Sequence, residues 1–174
     1  MESDSPIPPS QPALLPYRDT KDIGAADFYF GINATFRFIR EKSGREGLVR
    51  YWKDLGTEYF APVSKIWAAG GLVAVAEYWK EFFAAEPEAQ VEVDHHPDRV
   101  VVTVKQCPAI HHLRKEGREI LSEFCEHCYW VSDSIAGSSG MAARIKGGNG
   151  SCRQEFLAAA QAPPQDLNEI TRCS

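Results

Sequence analysis

The segment Met141–Phe156, MAARIKGGNGSCRQEF, decides the class of this protein. Met141, Ala143 and Ile145 alternate with small or charged residues, and Cys152, Gln154 and Phe156 alternate again beyond GGNG (Gly147–Gly150). Period-two alternation places one side-chain set on one face of a strand, and Asn-Gly tolerates the positive φ of a tight turn. The spacing predicts a β-hairpin. Upstream, Val91 and Val93 alternate with charged residues, His95–Asp98 (HHPD) offers a turn, and Val100, Val102 and Val104 share a strand face. That is a second hairpin. The four strands most simply form one antiparallel sheet.

Everything before Pro87 has a helical period instead. Phe28, Ile32, Phe36 and Ile39 recur at steps of three and four from about Ala25 to Ser43, and Gly44 stands as a stop. Asn33 and Thr35 fall within this helix as solvated polar positions, with Asn33 also a candidate for a ligand cavity. A second helix starts near Arg45 and carries Leu48, Tyr51, Trp52, Leu55, Tyr59 and Phe60. Pro62 suits a new first turn leading to Val63, Ile66 and Trp67. Gly70-Gly71 breaks that run, and a third helix follows from Leu72 to just before Pro87. Trp52, Trp67 and Trp79 are spaced as core residues. Between the hairpins, helices are predicted from Ala109 to Gly117 and from Ile120 to Ala136. The fold expected is α+β: a helical N-terminal half packed on a small antiparallel sheet of about four strands, formed by two hairpins with a helical insert.

Size and composition narrow the rest. The chain has 174 residues and 11 prolines, five of them before Asp22. Residues 1–22 read as a disordered proline-rich tail, 23–160 as a single domain, and 161–174 as a flexible C-terminal tail. A net charge of −5 without a basic run argues against nucleic acid. No apolar stretch is long enough for a membrane helix, so a cytoplasmic protein without a membrane partner is expected. The five cysteines then read as thiols or metal ligands rather than bridges.

Four of those cysteines, Cys107, Cys125, Cys128 and Cys152, lie between Gln106 and Phe156 with His111, His112 and His127. Cys107 ends a strand and precedes Pro108, which opens a helix. The sulfur should sit at a helix N-terminus, where free amides and the helix dipole favour a thiolate nucleophile. Cys125 and Cys128 are three apart on one helix face, beside His127. They read as a metal half-site, a redox pair or small core residues. Redox is the weakest of the three, because no strand leads directly into the pair. Cys107 and Cys152 could complete a four-thiolate zinc or iron–sulfur site, although zinc sites usually show two close pairs. His111 and His112 diverge by about 100°, so at most one serves as a base. His95 and His96 belong to an exposed turn, Glu126 and Asp133 to a solvated helix face, and Cys173 to the tail.

The strand ending in Cys107-Pro108, the Cys125/Cys128 helix and the Gly150-x-Cys152 strand resemble the L-2-amino-thiazoline-4-carboxylic acid hydrolase-like family. The resemblance spans about residues 28–157, and is distantly shared with vinyl-reductase-type sensor domains that bind ligands or metal through comparable cysteines. It implies ring-opening hydrolysis of a small cyclic amidine-like substrate with cysteines in or near the site. The expected activity is hydrolysis of a non-peptide C–N bond, with Cys107 attacking, His127 or a nearby base moving protons, and Cys128 and Cys152 lining the pocket. No cofactor is needed for that reading. The alternative is a small-molecule sensor with zinc or an iron–sulfur cluster on Cys107, Cys125, Cys128 and Cys152.

Overall fold

The structure, a computed structural model, describes residues 26–174, with side chains from Phe28 onward. The tail expected at 1–22 lies outside the described residues. Helix α1 (Ala26–Asp54) is broken at Gly44, where φ is +68°. A π-helical turn (Leu55–Tyr59) leads to α2 (Ala61–Ala85), which has Pro62 in its first turn and a second break at Gly71. These breaks stand where the glycines predicted them. The inward face of α1 differs from the expected stripe by one position. Phe28 is 63% exposed and Tyr29 and Asn33 are buried instead, while Phe36 is buried as expected.

Strands β1 (Gln90–His95) and β2 (Arg99–Gln106) form the first hairpin, and β3 (Met141–Gly148) and β4 (Ser151–Ala158) the second. They pair through β2 and β4, with Val104 opposite Cys152 and Val100 opposite Phe156. The Asn149-Gly150 turn has φ of +56° and +116°, the conformation for which Asn-Gly is suited. One sheet face carries Val100, Val102, Val104, Ala143 and Phe156, all buried against Val63, Trp67 and Val75 of α2. Trp67 stands edge-on to Phe156 at 5.4 Å, and Trp52 is fully buried in a neighbouring cluster.

Three expectations need correction. Residues 161–174 are not a loose tail. Strand β5 (Ile170–Thr171) adds to the sheet parallel to β3, opposite Gly147 and Gly148, so the five-stranded sheet is mixed, in the order β1-β2-β4-β3-β5. Ile170 and Cys173 are buried, which polar neighbours such as Asn168 and Arg172 conceal in the sequence. Helix α3 (Pro108–Lys115) is as expected, but α4 (Glu126–Gly137) begins six residues later than Ile120. The backbone before it is engaged elsewhere. The Asn33 amide donates to Glu119 O at 2.9 Å and accepts from Leu121 N at 3.1 Å, and Cys173 N donates to Ser122 O at 2.9 Å. Asn33 thus replaces backbone partners that a helix would have supplied.

Glu126 and Asp133 are also not solvated bystanders. Glu126 is buried and paired with Arg45 at 2.6 Å, alongside Arg37–Glu119 at 2.6 Å and Arg40–Glu123 at 3.0 Å. Burial pushes the Glu123 carboxyl upward, but hydrogen bonds from Ser122 and Arg40 outweigh it and hold the group below its ordinary value. Asp133 accepts from Ala143 N at 2.9 Å and Arg144 Nη1 at 3.0 Å, tying α4 to β3. The sequence could not pair these charges because their partners are remote along the chain.

Candidate functional site

The turn between β3 and β4 is where the cysteines meet. Cys107 N donates to Gly150 O at 2.8 Å, and Asn149 N donates to Cys125 Sγ at 3.2 Å. Cys152 lies opposite both Gly147 and Val104 across its two strand neighbours. Cys107 and Cys152 pack on the core beneath α2, and Cys125, Cys128 and Cys152 share the small cluster of Tyr129, Ile145 and Ile170. The structure therefore brings all four sequence-selected cysteines together. The thiolate form of any one would be repelled by its neighbours.

Cys107 occupies the N-cap of α3 without a side-chain cap hydrogen bond, and the nearby amides of Ala109 and Ile110 favour its charged form. The thiol is nevertheless not depressed. Burial pushes it up, the two amides oppose that, and Cys125 and Glu86 add to the rise. Burial similarly pushes Cys152 up to about 12, against a hydrogen bond from Gln154 Nε2 at 3.7 Å. Cys128 is also raised well above its ordinary value, by burial and then by Cys152, Cys125 and Cys107. The expectation of a standing thiolate at Cys107 is thus corrected: desolvation outweighs the helix end.

His127 contacts Cys128, with the sulfur 3.6 Å from Nε2 and 4.0 Å from Nδ1. Nearly equal distances place the sulfur beside or above the ring, away from the Nε2 lone-pair axis. Nδ1 bonds Phe124 O, which can only accept, so Nδ1 carries the proton. Burial lowers the imidazole, and its ring packs between Phe36 and Phe124 at 5.3 and 4.8 Å. Cys128 and His127 form a neutral packed pair.

The histidine pair after Cys107 divides as its angular separation requires. His111 faces outward to Glu88 at 2.9 Å, whereas His112 is buried and stacked on Tyr29 at 6.0 Å. His112 Nε2 is buried without a hydrogen-bond partner among the described residues, as is Gln154 Oε1. Tyr29 donates to Glu86, and its phenol is pushed far up by burial and by that carboxylate. Cys107 feels the charge of Glu86, and Tyr29 that of Cys107. Tyr29 and Glu86 are site neighbours that the sequence reading missed. Their only signal is a polar tip on a buried stripe and an acid beside Pro87. His95 and His96 are exposed, away from this region.

Cys173 was set aside in the sequence, yet its sulfur lies 3.4 Å from Cys125 Sγ. The two thiols move in opposite directions. The hydrogen bond with Cys173, then burial, raises Cys125. The same bond lowers Cys173 against its own burial, and Arg114 adds to the lowering. Among the described residues, no three His, Cys, Asp or Glu side chains are grouped so as to hold a metal ion. The four-thiolate arrangement does not fit, since Cys125 is turned toward Cys173 instead.

No family model, curated protein or solved structure matches the chain. No single helix among the described residues is long and apolar enough to cross a membrane.

Proposed function

We propose that this protein is a thiol-dependent hydrolase that opens a C–N bond of a small cyclic amidine- or thiazoline-like molecule, with Cys107 as nucleophile. The observation that carries this reading is Cys107 at the N-cap of α3, beside the Cys125, Cys128 and Cys152 thiols, with its own thiol kept protonated by burial. A protonated thiol suits a basic C=N substrate. The ring nitrogen takes the thiol proton as sulfur bonds to the adjacent carbon, and the N-terminal end of α3 stabilises charge developing on sulfur. The other amidine nitrogen passes a proton to the ring nitrogen and becomes doubly bonded to the carbon, so the C–N bond breaks to a free amine and a thioimidate. Water then adds to the thioimidate carbon and displaces the Cys107 sulfur, which takes back a proton. We assign the proton from that water to His112, whose buried Nε2 has no hydrogen-bond partner among the described residues and whose ring stacks on Tyr29, itself bonded to Glu86. The substrate class comes from the family resemblance.

The test is ring opening of 2-aminothiazoline and cyclic amidine compounds by the reduced full chain, followed by mass spectrometry as a gain of one water. Cys107→Ser is expected to abolish turnover. His112→Gln should lower kcat by roughly a hundredfold while leaving KM within a few-fold. Turnover retained by Cys107→Ser, or none by the folded wild type across these compounds, overturns the reading.

A further inference from the structure

We propose that Cys125 and Cys173 form a peroxide-sensitive dithiol that closes to a disulfide and fastens the β5 segment across the β3–β4 turn. This stands independently of the hydrolase reading. The sulfurs come from residues 48 apart in sequence and lie 3.4 Å from each other. A disulfide bond is about 2.05 Å long, so they need to close by roughly 1.4 Å.

Each partner is held from its own side. Asn149 N donates to Cys125 Sγ at 3.2 Å, and Cys173 N donates to Ser122 O at 2.9 Å. Arg114 brackets the pair, donating to Asn149 O at 3.0 Å and to Ser174 O at 3.4 Å. Next to them, Ile170 and Thr171 lie opposite Gly147 and Gly148, directly before the turn whose Gly150 carbonyl receives the Cys107 amide.

The asymmetry assigns the roles. The Arg114 guanidinium reaches Ser174 O, next to Cys173 in the chain, and favours a negative charge on that sulfur, so Cys173 is the attacking group and Cys125 resolves. Cys173 thiolate attacks one oxygen of hydrogen peroxide, the O–O bond breaks, and hydroxide leaves to become water on taking a proton. The Cys125 sulfur then attacks the Cys173 sulfenic sulfur and displaces a second water. Two thiols lose two electrons and two protons, and one peroxide becomes two waters. The disulfide would fix β5 against the wall of the cysteine site, and a dithiol reductant would release it.

The experiment exposes the reduced full chain to a small excess of hydrogen peroxide at neutral pH, then alkylates, digests and measures peptide masses. The expected product is one linked peptide pair joining Cys125 to Cys173, about 2 Da lighter than its reduced parts and reversed by dithiothreitol. Cys125→Ser should leave Cys173 trappable by dimedone as the sulfenic acid, and Arg114→Gln should slow linkage about tenfold. A peroxide-treated, still folded wild type without this linkage, or with a linkage to Cys107, Cys128 or Cys152 in its place, overturns the proposal.

Discussion

Cys107 and Cys173 reverse the usual ranking of thiols by local structure. Cys107 has the helix N-terminus and a following proline, yet its thiol is pushed up. Cys173 follows a two-residue strand and caps no helix, yet its thiol is pulled down. The difference lies in what surrounds each sulfur. Both sulfurs pack in the same apolar cluster, but Cys107 also faces other thiols and Glu86, whereas Cys173 shares a hydrogen bond with the Cys125 thiol and feels the Arg114 guanidinium. A helix end contributes on the order of 1 kcal/mol, and full desolvation of a charged group costs several times that. Neighbours outweigh helix ends.

The strongest way to break this comparison is to remove β5. A Cβ on Gly148 would stand 2.3 Å from Thr171 O and 3.2 Å from Cys125 Cβ, at a φ of +151°. Gly148→Ala should therefore destabilise the fold by about 3 kcal/mol, as overpacking and strain combine. It should also part Cys173 from Cys125, so that peroxide no longer links them. An unchanged denaturation midpoint with linkage intact would show that β5 is not what holds the pair.

Alkaline stability isolates the Cys107 side. Its folded value lies above the ordinary 9.0. Below pH 9 both folded and unfolded thiols are protonated, and the group leaves stability unchanged with pH. Above pH 9 the unfolded thiol releases its proton while the folded one keeps it, so stability falls as pH rises. Denaturant titrations between pH 9 and 10 should show Cys107→Ser losing stability less steeply than wild type, by about 1.4 kcal/mol per pH unit at most. Parallel slopes would mean the Cys107 thiol is not raised.

Alkylation gives the smallest but most direct contrast. Small iodoacetamide doses at pH 7.5, read by peptide mass, should label Cys173 several-fold faster than Cys107, with the burial of Cys173 limiting the ratio. Arg114→Gln should bring the two rates closer together. Faster labelling of Cys107 in the wild type would restore the helix end as the dominant influence.

Part of this molecule follows from its sequence alone. GGNG, the alternating valines, Pro62 and the glycine breaks at Gly44 and Gly71 determined both hairpins, the helical half and the position of Cys107 at a helix start, because turns, periods and caps are set by near neighbours. The gathering of Cys107, Cys125, Cys128 and Cys152 was legible for the same reason, since two hairpins pairing into one sheet must bring that stretch together. Tertiary structure decided the remainder. The late start of α4 depends on Asn33, 86 residues from its carbonyl partner, and β5 depends on a strand edge that only the finished hairpin offers. The protonation of each thiol rests on burial and on charges such as Glu86 and Arg114. Desolvation and Coulomb interactions act through space, so the order of residues along the chain does not record them.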